Sequence, residues 1–423
     1  MIDALRVDSD AVKNDILRTA DFGMIDSEDG IGRTVLPGTP ANGRARTYLV
    51  DQLVAAGLDV SVDAVGNISG RWVPPEADAT ADPVAAGSHL DSVPMGGIFD
   101  GPLGVYAALE AVRTIKASPL SVQRPIEVVC FTGEEGTRFA DGVLGSSVAA
   151  GELSVDDALS LTDGDVTLEA ALEEIGYRGE GRLDASAWDS WLELHVEQSD
   201  VLERAGEPAG VVTSITGTTR LRVQIDGEAN HAGTTSMANR TDALAAASEL
   251  VLALEAEANR IAGTESDAAV ATVGSLSVSP GAVNVVPGGA TLEIDIRDVD
   301  ATLIERMVQT LEDTCASLRR DRGVEVTVER PYNISPQPMA EHLQASLRRA
   351  ATAADVDPLS LHSGAGHDTM QVATVTDTGM LFARSRGGHS HSPLEHTNWL
   401  DCGVTTQVLT LALAEMAGAQ PNR

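Results

Sequence analysis

The stretch Gly87-Ser-His-Leu-Asp-Ser-Val93, followed by Gly97-Ile-Phe-Asp-Gly-Pro-Leu-Gly104, decides how this chain is read. Pro83-Val-Ala-Ala-Gly-Ser-His-Leu90 is a continuous apolar run of the kind that forms a buried strand, and it delivers His89 at its C-terminal end. Asp91 comes next as a second carboxylate, and Asp100 opens the helical pattern Pro102-Leu-Gly-Val-Tyr-Ala-Ala-Leu-Glu-Ala-Val112. In open α/β sheets ligands gather at the carboxyl ends of strands, so metal or catalytic groups are expected here. A lone His-x-Asp carries little weight, and three segments downstream add to it.

Pro125-Ile-Glu-Val-Val-Cys-Phe-Thr-Gly-Glu-Glu-Gly136 is another apolar strand, ending in the adjacent carboxylates Glu134 and Glu135. Like charges side by side at a strand end are unfavourable unless a cation or a shared proton offsets them. The plainer reading is a solvated acidic loop. A third strand, Trp191-Leu-Glu-Leu-His-Val-Glu-Gln198, carries His195, which taken alone fits a satisfied core histidine better than a ligand. Gly387-Gly-His-Ser-His-Ser-Pro-Leu-Glu-His396 adds a turn-rich cluster of three histidines.

Imidazole and carboxylate without cysteine suit Zn, Mn, Co or Ni and argue against a closed structural zinc site. Two ions about 3.5–4 Å apart need a bridging carboxylate and a shared water whose pKa they lower. A carboxylate that is not a ligand must then take that proton and pass it to the leaving group.

The motifs Gly87-Ser-His-Leu-Asp, Gly97-Ile-Phe-Asp-Gly, Glu134-Glu-Gly, Leu194-His-Val-Glu-Gln, Asn230-His-Ala-Gly-Thr-Thr and Ser390-His-Ser-Pro-Leu-Glu span nearly the whole chain. In this order they resemble the hydantoinase/carbamoylase-type amidases of the binuclear-zinc aminopeptidase and acylase superfamily. Members include N-carbamoyl-L-amino-acid hydrolase, allantoate amidohydrolase and β-ureidopropionase. The resemblance implies that His89, Asp100 and His195 bind one metal and Asp100, Glu135 and His391 the other, with Asp100 bridging. Glu134 would be general base and then acid, and Asp91 would orient His89 from behind. His231, Asn284 and Arg297 would match substrate-binding positions, with Gln198 and His367 lining the site. Where the family usually shows Glu-Gln-Gly-Pro, this chain has Glu197-Gln-Ser-Asp200, which bears on the loop after Gln198 and not on the ligands.

A chain of 423 residues exceeds one comfortable core and suggests two domains. Hydrophobic residues make up 43% but aromatics only 3%, so alanine, valine and leucine must fill the interior. No apolar run approaches the roughly 18–20 residues of a membrane span. The acidic start, Met1-Ile-Asp-Ala-Leu-Arg-Val-Asp-Ser-Asp10, lacks the layout of a signal peptide. Cys130, Cys315 and Cys402, widely spaced, read as reduced thiols of a cytoplasmic protein.

The net charge of −34 excludes nucleic acid and anionic membrane surfaces as partners. Lys13 and Lys116 are the only lysines. Self-repulsion of this size opposes a compact fold, and molar salt screens it by shortening the Debye length to about 3 Å. The pattern resembles proteins of salt-in halophiles; an ordinary acidic cytosolic protein is the alternative.

Periodicity gives the organisation. Residues 1–213 alternate strands with helical patterns (Asp10–Ala20, Gly43–Ala56, Pro102–Ile115), as in a mostly parallel α/β catalytic domain that residues 332–423 complete. Pro74–Pro83 and Asp163–Ala185 read as acidic surface loops or short helices. Residues 214–331 switch to strand–helix–strand–strand–helix–strand, an inserted α+β sandwich with an antiparallel sheet. His231, Asn284 and Arg297 lie in this block; taken alone, Arg297 in Asp295-Ile-Arg-Asp298 reads as a surface ion pair and His231 as an idle turn histidine. The resemblance makes the block a lid and homodimer interface that brings His231 to the partner's site.

The expected activity is metal-dependent hydrolysis of the carbamoyl C–N bond of N-carbamoyl-L-amino acids or a related ureido acid, using two divalent ions per subunit, zinc or else Mn, Co or Ni. Allantoate or N-carbamoyl-β-alanine is the alternative substrate. An N-acyl-amino-acid deacylase or dipeptidase would use the same metals, and a non-catalytic binding protein should have lost ligands that this chain keeps.

Overall fold

A computed structural model describes residues 2–140 and 142–421, so Met1 of the N-terminal segment lies outside the described residues. The chain forms two compact units, Met1–Thr213 with Met339–Arg423, and Ser214–Pro338.

The larger unit is built on a mixed sheet. Seven of its nine strands are β1 (Asp59–Val62), β2 (Ile68–Trp72), β3 (Val84–His89), β4 (Ile126–Phe131), β5 (Ser190–Val196), β6 (Ala209–Ile215) and β7 (Thr378–Ala383), in the spatial order β6-β7-β5-β3-β4-β2-β1. β7, β5, β3 and β4 run parallel, whereas β6, β2 and β1 join antiparallel at the flanks. The sequence reading of a mostly parallel sheet thus holds for its centre. Strands β3, β4, β5 and β7 are buried at every residue, as sheets covered on both faces demand. Register pairs His89 with Phe131 and His195 with Phe382, so both histidines lie at the carboxyl end of the parallel strands.

The scarcity of aromatics shapes how the layers meet. Helix Pro102–Ala117 is buried along most of its length and packs against both the sheet and helix Trp399–Met416. Ala107, Ala108 and Ala111 are fully buried, and a Cβ at Gly104 would stand 2.3 Å from the Leu194 carbonyl. Small side chains let this helix sit close on the strands, and its start carries Asp100 to the carboxyl ends of the central strands. Helix Ser9–Ala20 begins at an Asp8 cap that accepts from Asp10 and Ala11 N–H, and Pro40–Ala55 at Thr39. The region read as acidic loops or short helices, Asp163–Ala185, holds a short helix, Leu168–Ile175.

The smaller unit has its own core. Its strands lie in the order Val270–Ser279, Gly289–Asp298, Gly217–Asp226, Glu325–Ile334, all antiparallel. Burial alternates strictly along Gly289–Asp298, so one face meets helices Ala243–Thr264 and Ala301–Arg322 and the other does not. The last strand runs through Pro331 and carries the unit to Pro338. Among the described residues no helix is long and apolar enough to cross a membrane.

Candidate metal centre

Three strand ends and two turns converge on Asp100. His89 ends β3, His195 is the penultimate residue of β5, and Glu134 and Glu135 follow β4 in a turn. Asp100 stands just before helix Pro102–Ala117, at a bend whose Gly101 has φ +81°; a Cβ there would lie 2.6 Å from the His89 ring. The carboxylate is shared. Its Oδ1 lies 3.4 Å from His89 Nε2 and 3.2 Å from His195 Nε2, and its Oδ2 3.8 Å from His391 Nε2. His391 Nε2 is also 3.2 Å from Glu135 Oε2, and Glu134 Oε2 is 3.7 Å from His89 Nε2. The ligand atoms of His89, Asp100 and His195 lie within 4.8 Å of one another, as do those of Asp100, Glu135 and His391.

These residues fit a pair of divalent cations. His89 Nε2 and His195 Nε2 are fully buried and have no hydrogen-bond partner, which is costly unless something fills the space they face. Their other nitrogens are engaged, His89 Nδ1 with the Asp91 carbonyl at 3.2 Å and His195 Nδ1 with the Val196 carbonyl at 3.0 Å. That fixes each ring with Nε2 facing Asp100, the orientation a ligand needs. Glu193, His195 and His367 also lie close together, but both Glu193 oxygens are occupied, one by Ser88 Oγ and one by Thr369 N–H and hydroxyl.

Electrostatics point the same way. Burial disfavours charge on Asp100, yet the imidazoles of His195 and His89 hold its carboxyl well below the usual range. Burial likewise opposes protonation of His89, but the carboxylates of Glu134, Asp100 and Asp91 outweigh it and raise its pKa. Glu134 is driven well above the usual carboxylate range by burial and by Asp368, Glu135 and Asp100, against the pull of His89. His391 is pushed up to about 9, chiefly by its hydrogen bond to Glu135. Imidazolium charge thus offsets carboxylate charge at the positions where a cation would do so.

Residues 85–415 match the peptidase family M20/M25/M40. The chain is 38% identical over 406 residues to the N-carbamoyl-L-amino acid amidohydrolase of Geobacillus stearothermophilus, covering 95% of this chain and 97% of that protein. It is 34% identical over 425 residues to a ureidoglycolate hydrolase of Arabidopsis thaliana, covering 98% and 88%. A solved amidase of the hydantoinase/carbamoylase family from Burkholderia multivorans superposes with a TM-score of 0.90 at 33% identity, over 99% of this chain and all (100%) of that one. The chain belongs to the peptidase family M20/M25/M40.

In this family member the cluster has surroundings of which the sequence pointed only to Gln198. Gln198 Nε2 and Ser390 Oγ both donate to Asp100 Oδ2, at 2.7 and 2.8 Å. Glu395, buried, accepts from the Phe99 and Asp100 N–H groups; burial and the neighbouring Asp100 push its carboxyl up to about 7. Arg33, fully buried, donates to the carbonyls of Leu90, Asp91, Gly97 and Asp100. Glu395 could have been suspected from its motif; nothing local marks Arg33. Beneath the cluster Ser146 Oγ donates to Asp368 at 2.5 Å, and burial beside Glu193 pushes the Asp368 carboxyl up to about 8.

The structure gives two further sequence-predicted residues, Asp91 and His367, these contacts. The Asp91 carboxylate lies 3.9 Å from His89 Nδ1, and its hydrogen bonds go to the backbone N–H groups of Gly133, Glu134 and Glu135. His367 is buried, bonded to Ser363 Oγ and edge-on to His195, with burial and the His195 charge lowering its pKa well below the usual value. In the smaller unit His231 is exposed, its Nδ1 accepting from Gly233 and Thr234 N–H. Its strand pairs with Val285–Val286, and Asn284 accepts from Ala232 through its carbonyl. Arg297 forks onto Asp295, at 2.7 and 3.3 Å.

Proposed function

We propose that the chain hydrolyses the carbamoyl C–N bond of N-carbamoyl-L-amino acids, with two divalent ions, zinc or else Mn, Co or Ni, shared through Asp100. His89 and His195 would hold one ion, Glu135 and His391 the other. The carrying observation is the pair of buried, unpartnered histidine nitrogens aimed at one carboxylate oxygen, with a second acid–histidine pair on the other. When bound, the ions supply Lewis-acid polarisation of the carbonyl and a lowered pKa for water. Glu134, which faces His89 and is assigned to neither ion, would take a proton from the attacking water and hand it to the departing amine. The C–N bond to the amino acid breaks, leaving carbamate that decomposes to carbon dioxide and ammonia. Gln198 and His367 would line the pocket.

The smaller unit would be a lid and a homodimer interface. There Arg297 would exchange Asp295 for the substrate carboxylate, and His231 and Asn284 would donate to the developing oxyanion. The relative named for N-carbamoyl-L-amino acid hydrolysis supports this choice; the one named for ureidoglycolate keeps ureido acids, allantoate included, as the second reading. The net charge of −34 with two lysines supports a cytoplasm rich in KCl as the setting. A melting temperature that rises between about 0.1 and 3 M KCl is expected, and a flat one contradicts the halophilic part.

The deciding assay pairs N-carbamoyl-L-amino acids with N-carbamoyl-β-alanine, allantoate and N-acetyl-amino acids, in high KCl with Zn, Mn or Co. Turnover of the carbamoyl-L-amino acids above all others is expected. Preference for N-acetyl substrates would overturn the assignment.

A further inference from the structure

The two glutamates after β4 are adjacent in sequence, yet Glu134 reaches His89 and Glu135 reaches His391. Neighbouring residues in a regular strand would point to opposite faces, so a special backbone must aim both at one centre. That backbone is held on both edges. Gly133 and Gly136 have φ of +69° and +65°, and the N–H groups of Gly133, Glu134 and Glu135 converge on the Asp91 carboxylate at 3.1, 3.4 and 3.2 Å. On the other edge the carbonyls of Thr132, Gly133 and Glu134 accept from Gly145, Leu144 and Val143, at 2.7, 3.2 and 2.8 Å. Val143 adopts φ +46° to do so, a strained conformation for a β-branched residue. Successive N–H groups of this kind form an anion-binding nest. Here the anion is Asp91, which is 2% exposed. His89 Nδ1 faces the Asp91 main-chain carbonyl at 3.2 Å, and the nearer side-chain oxygen is 3.9 Å away.

We propose that the Asp91 side chain is the positioning group of the Glu134–Glu135 turn. By gathering three backbone N–H groups it sets which glutamate faces His89 and which faces His391. This deepens the metal-dependent reading above and, for its metal consequences, rests on it. Losing the nest should leave the His89–Asp100–His195 half intact and loosen the Glu135–His391 half.

The test uses the full chain and its Asp91→Asn and Asp91→Ala variants, Asn retaining one acceptor oxygen. Amide hydrogen exchange on the metal-free proteins reads the turn directly. Exchange at Gly133, Glu134 and Glu135 is expected to rise by about tenfold or more in Asp91→Ala and less in Asp91→Asn, with the β3 amides unchanged. Zinc titration then reads the two halves against His195→Ala and His391→Ala. Asp91→Ala should weaken one ion by about 10–100-fold, with the profile of His391→Ala. Unchanged exchange at residues 133–135, or a zinc profile that follows His195→Ala, would overturn the proposal. Should Asp91→Ala not fold, Asp91→Asn decides by the same two readings. Should the parent chain bind no pair of ions, the functional reading fails, and the exchange result still decides the role of Asp91.

Discussion

The two sides of Asp100 are built differently. On its Oδ1 side stand His89 and His195, both wholly buried, carried on parallel strands whose every residue is buried. On its Oδ2 side stand Glu135, in a glycine-flanked turn, and His391, whose side chain is 52% exposed and whose backbone has φ +54°. The first half is placed by the sheet and cannot move without the core. The second depends on turns held by individual hydrogen bonds, including those of Ser390 and Gln198 to Asp100. A site assembled this way has one half that costs much to disturb and one that yields readily.

The largest expected effect leaves that contrast untouched and tests what sits between the halves. Glu134→Gln keeps volume and removes the proton acceptor, so turnover should fall by about 10²–10⁴-fold with bound metal unchanged. Loss of metal instead would mean that Glu134 is a ligand and Glu135 the base. Next comes the contrast itself. His195→Ala should weaken metal binding by more than the roughly 10–100-fold typical of outer partners and lower the melting temperature, since it also opens a cavity against buried Asp100. His391→Ala should weaken one ion and leave the melting temperature of the metal-free chain nearly unchanged. Equal thermal losses would remove the distinction.

A subtler break lies beneath the buried half. The Asp368 carboxyl is pushed from an ordinary 3.8 up to about 8, so the folded chain holds this proton more tightly than the unfolded one. Its contribution to stability is therefore fully present below about pH 4 and lost as pH climbs through 8. Asp368→Asn has no proton to lose. Its melting temperature relative to the parent should rise across that window by a few degrees or more, then level off; a difference independent of pH would contradict the assignment. The smallest effect is expected from Ser390→Ala. Gln198 still donates to Asp100 Oδ2, so zinc affinity of the exposed half should fall by less than about tenfold.

The same contrast marks what a sequence can disclose. His89, Asp100, Glu134, Glu135 and His195 were visible as candidates because strand ends, glycine turns and apolar runs are local patterns, and the α/β sheet follows from the same runs. The smaller unit's strand–helix order was legible from periodicity, which the alternating burial of Gly289–Asp298 follows. Element ends drifted by a few residues, as with helix Pro40–Ala55, read from Gly43 to Ala56, because a polar first turn leaves little apolar signal. Arg33, Glu395 and the Ser146–Asp368 pair escaped because their partners lie far along the chain: Glu395 caps backbone groups at Phe99 and Asp100, and Ser146 meets Asp368. Asp91 was visible as a residue, but whether its side chain or its carbonyl serves His89 is a matter of ångströms that no spacing encodes.

The central claim is that one carboxylate serves two ions, and zinc titration of the metal-free chain against its Asp100→Asn variant tests it most directly. Asn preserves the size of the side chain and withdraws the shared charge. The parent should take up two ions per chain, and the variant should bind neither at the parent's affinity. A variant that still binds one ion as tightly as the parent would show that Asp100 belongs to one half alone.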